Sequence, residues 1–183
     1  MTEMERAMGF ENKTGGFMLL FLMACIVLDL ISCGIAQKRV MITDEEQSIL
    51  SAAEKTFLCM SEKRYGELWE SISRRSKEAV VRDVLDACDV MHIRCDGTKL
   101  RMSFANEGPD AVIYWENFLA AFDPNSVIRE SRWMMGKAGA EKAEIIVFHR
   151  DSDREAVLKV VKEDGVWKMG LEESFGVRKR MLW

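Results

Sequence analysis

Two side chains have the type and spacing for acid–base chemistry. Trp167, Met169, Leu171, Glu173 and Phe175 alternate with period two, so a strand over them sets Glu173 on an otherwise apolar face. A carboxylate desolvated there has a raised pKa, as a general acid or base requires; at a frayed strand end it is simply solvated. His149 shares a strand face with Ile145 and Val147 and is the second candidate, against the plainer reading of a hydrogen-bonded or solvated imidazole. Cys88, His92 and Cys95 follow a Cys-x3-His-x2-Cys spacing, which puts Cys88 and His92 on one helical face as two metal ligands would be. A structural zinc site needs a fourth ligand, so no metal is expected. The chain has no Gly-x-Ser-x-Gly nucleophile motif and no glycine-rich phosphate loop, and no cofactor is expected. Tyr65, Trp69, Trp115, Trp133 and Trp167 are candidates to line a concave apolar pocket, plain core being the alternative.

The elements that must position these residues follow from the patterning. Thr43 with Glu46 three residues on is a capping box, and Ile49, Leu50, Ala53, Phe57 and Met60 then fall on one helical face. Tyr65, Leu68, Trp69 and Ile72 give a second, short helix. A third begins near Ser76 and turns Val80, Val84, Leu85 and Cys88 inward. Asp96-Gly97 reads as a turn, and Leu100-Met102-Phe104 alternates briefly like a strand. Pro109 opens a helix whose apolar pattern runs from Ala111 to Phe122. The period then changes to two: strands are expected over Val127–Met135, Ala143–Arg150, around Ala156–Val160, and from Trp167 to Phe175. Glu163-Asp164-Gly165 is the last hairpin turn. Helices first and an antiparallel meander last is an α+β order.

Ahead of this body lies an apolar run, Phe17 to Cys33. Three readings stay open. Leu30-Ile31-Ser32-Cys33 resembles the bacterial lipobox, which implies acylation at Cys33 and anchoring by lipid. The stretch Phe17–Ala36 is also long enough for a membrane-spanning helix, with Asp29 near one end. A signal peptidase could instead cut after Gly34-Ile35-Ala36. The chain thus divides into a signal or anchor segment over 1–36, a linker over 37–43, an α+β domain over 44–176 and a basic tail over 177–183. The expected location is the outer side of a bacterial membrane, in the cell envelope. The expected partners are that membrane, an apolar small molecule or an envelope protein.

The formal net charge is −4, and no basic field marks a nucleic-acid partner. Of five cysteines, Cys25 and Cys33 fall in or at the end of the apolar run. Among the rest, Cys88 and Cys95 are the pair a short returning segment can join, with buried reduced thiols as the alternative.

Ala52-Ala53-Glu54-Lys55-Thr56-Phe57, the segment Lys63-Arg64-Tyr65-Gly66-Glu67-Leu68-Trp69-Glu70-Ser71-Ile72-Ser73 and the ending Val160-Val161-Lys162-Glu163-Asp164-Gly165-Val166-Trp167-Lys168-Met169 resemble the opening and the last hairpin of small bacterial domains in the nuclear-transport-factor-two-like (cystatin-like) superfamily. The resemblance covers roughly residues 45–175. It implies a curved sheet wrapped around the helices as a cone, whose mouth often holds a ligand. The superfamily's isomerases and cyclases use acidic or His residues there, so Glu173 and His149 are the groups an enzyme would use. A binding or interaction module is the first expectation, a small isomerase-like enzyme the second, and a tethering subunit of a membrane assembly the third.

Overall fold

The computed structural model describes residues 43–176. The apolar run Phe17–Cys33, the Cys33 lipidation site, most of the linker and the basic tail lie outside the described residues.

Helix α1, Asp44–Ser61, starts where its capping chemistry places it. Thr43 Oγ1 accepts from the Glu46 amide at 3.2 Å, and the Glu46 carboxylate accepts from the Thr43 amide at 2.8 Å. Its buried stripe is Ile49, Ala53, Phe57 and Met60, with Leu50 half-buried. The short α2, Tyr65–Ser71, buries Tyr65, Leu68 and Trp69. Helix α3, Arg74–Val90, is capped by Ser73 and buries Val80 and Cys88; Val84 and Leu85 are half-buried.

Residues 97–105 correct one expectation. They form a helix, α4 (Gly97–Ala105), not a strand. Asp96 is its N-cap, accepting from the amides of Thr98 at 2.7 Å and Lys99 at 3.1 Å. Leu100 and Phe104, four apart, are 4% and 0% exposed, whereas Met102 between them is 61% exposed; a strand face would bury all three. Helix α5, Pro109–Ala120, has its proline in the first turn. A second correction follows: Pro124–Glu130 is a helix, α6, capped by Asp123, so the first strand begins at Ser131 and not at Val127.

Strands β1 (Ser131–Ala138), β2 (Lys142–His149), β3 (Ala156–Glu163) and β4 (Val166–Gly170) form an open antiparallel sheet in sequence order. The β3–β4 connection is the two-residue loop Asp164-Gly165, with φ of 51° and 81° and Glu163 paired to Val166, the type I′ geometry that matches strand twist. A third correction concerns the last strand, which stops at Gly170. Leu171–Phe175 is a short helix, α7. A Cβ at Gly170 would sit 2.9 Å from the Lys159 carbonyl oxygen. Ser174 Oγ takes the Lys159 amide at 2.7 Å, a side chain doing what the next strand residue would do. The described residues therefore form an α+β fold of seven helices and four strands. The core lies between the helices and one sheet face, that of Ile145, Val147, Leu158, Val160, Trp167 and Met169.

Candidate functional site

Glu173 does not share a strand face with Trp167 and Met169, because it lies on α7. There it turns towards the start of α3. The Ser73 hydroxyl lies 3.0 and 3.1 Å from its two carboxylate oxygens, and the Ser76 hydroxyl donates to Oε2 at 3.1 Å. Both serines are buried, 2.7 Å apart, and Ser76 Oγ also accepts from the Glu172 amide. Beyond them opens a cleft of about 640 Å³, lined by Glu173, by Arg75 and by the adjoining ends of β1, β2 and β3. Its lining is mixed polar and apolar. Removing the carboxylate leaves two buried hydroxyls without their acceptor. Glu173→Ala is therefore expected to lower stability by about 1–3 kcal/mol, and Glu173→Gln by less, in urea unfolding. Equal stability of all three proteins would show that the contact holds nothing together.

His149 ends β2 and makes a different set of contacts. Its Nδ1 accepts from the Asp151 amide at 3.2 Å, which leaves the ring proton on Nε2. Nε2 then donates to Ser126 Oγ at 2.7 Å. The Glu130 carboxylate lies 3.9 Å from the same Nε2. A nucleophile triad needs the acid on Nδ1 and a free lone pair facing the serine, and neither condition holds. The imidazole ties α6 to the ends of β1 and β2. It is also remote from Glu173: Ala143, six residues along β2, lines the Glu173 cleft, and those six residues span about 20 Å. The structure does not bring the two candidates together.

The aromatic candidates mostly pack on one another. Tyr65, Trp69, Trp115 and Trp167 are core residues and Trp133 packs against them; Trp69 and Trp133 each also edge a cleft. Trp69 stacks on Phe104 with centroids 4.9 Å apart, and Phe104 meets Tyr114 and Trp115 edge-on at 5.5 and 6.2 Å. Trp133 meets Phe57 edge-on at 5.6 Å. Tyr65 donates to Glu116 and Trp167 Nε1 to Glu45, both at 2.9 Å, whereas Trp115 Nε1 is buried with no hydrogen-bond partner among the described residues. Burial, with the Glu116 carboxylate beside it, pushes the Tyr65 phenol up to about 12.

Cys88 and Cys95 are joined in a disulfide with Cα atoms 6.2 Å apart, and Cys59 is a buried free thiol. Bonded to each other, the two sulfurs are not available beside His92, and no group of potential metal ligands occurs among the described residues. The bridge closes an unusual loop. Helix α3 ends in a Schellman motif, with the Ile93 amide on the Cys88 carbonyl at 2.9 Å and the His92 amide on that of Asp89 at 3.1 Å. His92 takes the left-handed position at φ 58°, where glycine is usual. That reversal turns Val90, Met91 and Ile93 outward, at 66%, 52% and 53% exposure. Sequence reasoning missed these three residues. The available signal was a run of apolar side chains between two cysteines, off the periodicity of α3.

No protein family, curated protein or solved structure matches this chain. Among the described residues no helix is long and apolar enough to cross a membrane.

Proposed function

We propose that the chain is a membrane-anchored, extracytoplasmic interaction module of the nuclear-transport-factor-two-like kind, which engages a protein partner through the loop closed by Cys88 and Cys95. One observation carries this reading: the five aromatics that could have lined a pocket pack in or against the core, while three large apolar side chains stand exposed on one covalently closed loop. Exposed apolar groups gathered at one place mark interaction sites. The order of helices followed by an antiparallel meander supports the family reading, and the run Phe17–Ala36 supports the anchor.

A protein suits the loop better than the anchoring bilayer, on grounds of position. The domain begins beside the β3–β4 hairpin, where Glu45 accepts from Lys162 at 2.8 Å and from Trp167 at 2.9 Å. Helix α3 starts at that same hairpin, its Arg74 amide donating to Glu163 at 3.0 Å. The loop sits at the other end of α3, about 25 Å further on at 1.5 Å per residue. Thr43, where the described residues begin, is therefore at the opposite end of α3 from the apolar loop. The enzyme reading has less support, since Glu173 and His149 are far apart and each already carries hydrogen bonds within the fold.

A photo-crosslinking residue at Met91 or Ile93, introduced in the full chain in its native membrane, tests the proposal. The expected product is a discrete adduct with a different protein, absent when the probe replaces exposed Lys55 on α1 and lost on adding Ile93→Asp to the Met91 probe. An adduct with lipid, an adduct of twice the chain's own mass, or the same products from Lys55 would each overturn it.

A further inference from the structure

The cleft beside Glu173 has a charge arrangement that neither the interaction loop nor the core explains. Four cationic side chains line it: Arg75 from α3, Lys137 from the end of β1, Lys142 from β2 and Lys159 from β3. Its carboxylates are Glu144, Glu172 and Glu173, and the last two have partners within the fold. Glu173 receives the Ser73 and Ser76 hydroxyls. Glu172 lies 3.8 Å from Arg75. Glu144 is the residue directly opposite Lys159 in the β2–β3 register. Lys137, Lys142 and Lys159 have no carboxylate within ion-pair distance among the described residues. Lys137 sits just after Met135, where the β1–β2 register breaks, and such a bulge re-aims a side chain. Small residues, Ala138, Gly139 and Ala143, lie between these cations and leave the space open.

We infer that this cleft binds a small anionic molecule carrying at least two negative charges, of the phosphate or polycarboxylate class, between Lys137, Lys142 and Lys159. Its volume of about 640 Å³ falls in the range of small-molecule sites. The ammonium groups come from three different strands, so a compact dianion satisfies them together where a single surface carboxylate would not. Glu173, held by its serines, also lines the cleft and favours ligands that present a hydrogen-bond donor or a positive group there. This site is independent of the apolar loop.

Isothermal titration of the full chain in detergent, with inorganic pyrophosphate in one arm and citrate in the other, tests the inference at low salt. Saturable binding is expected in at least one arm, and the preferred arm distinguishes phosphate from carboxylate chemistry. The double variant Lys137→Ala/Lys142→Ala is expected to weaken it by about tenfold or more. Lys55→Ala/Lys99→Ala, which removes two exposed lysines outside the cleft, should leave it unchanged. Since the cleft lysines are surface groups, circular dichroism of both variants should match the parent chain. No saturable heat in either arm, or equal weakening by both double variants, would overturn the inference.

Discussion

Phe104→Ala is expected to lower the free energy of unfolding by about 3–5 kcal/mol, the range for deleting a buried ring. Phe104 is fully buried, and the three rings it touches belong to two other elements: Trp69 on α2, and Tyr114 and Trp115 on α5. All are large and rigid, so neighbours cannot collapse into the space, and the cost falls at the upper end for its type. The loss approaches the whole stability of a typical domain, about 5–15 kcal/mol. Met102→Ala, two residues away, is the companion measurement. Its side chain is 61% exposed, and the expected change is within about 0.5 kcal/mol. Urea unfolding of the two variants tests the helix assignment itself. In a strand, residues 102 and 104 share a face, and comparable losses at both would sink the description of Gly97–Ala105 as a helix.

Removing the disulfide should have the next largest effect. Cys88 and Cys95 close a loop of seven residues' separation, and in the chain-entropy account a closure of that length contributes roughly 2.5 kcal/mol. Cys88→Ser/Cys95→Ser should lose about that much in urea unfolding, and the unsubstituted domain in reductant should behave in the same way. The two Schellman hydrogen bonds remain after reduction, so the helical signal of α3 should persist while Val90, Met91 and Ile93 lose their fixed presentation. The crosslink from Ile93 should therefore fall although the domain stays folded. A double variant as stable as the parent would mean that the bridge merely joins two ends already held together by the fold.

What could be read from the sequence divides by distance along the chain. Thr43 with Glu46, Pro109 at a helix start, and Asp164-Gly165 at a hairpin each act within a few residues, and local chemistry specifies them. Leu100-Met102-Phe104 was ambiguous because three alternating apolar residues satisfy both periods. The deciding signal was Asp96, whose side chain caps α4 but which reads equally as a turn residue beside Gly97. Val127 and Ile128 are strand-forming types, yet Asp123 and Pro124 start a helix over them. Phe175 continued the alternation of β4 until Ser174 took the hydrogen bond that β3 offered. The setting of Glu173 was beyond sequence reading altogether, since Ser73 and Ser76 lie 100 and 97 residues earlier. The exposed loop depended on a cysteine pairing that spacing left open.

The meander order of the sheet has a consequence for how the chain is made. Each strand pairs with the strand next to it in sequence, so the sheet can zip up hairpin by hairpin from contacts of short span. The amino-terminal helices have no such early partner. Glu45 finds Lys162 and Trp167 only 117 and 122 residues later, and Ile72 and Ser73 meet Met169 on the last strand. During synthesis α1 to α3 emerge first; Trp69 can stack on Phe104 and Phe57 on Trp133 as those residues follow, but the contacts of Glu45, Ile72 and Ser73 must wait until the final stretch of the chain leaves the ribosome. A nascent chain stalled before Trp167 would carry six of the seven described helices and three of the four strands, and would lack the last strand that the amino-terminal helices close upon.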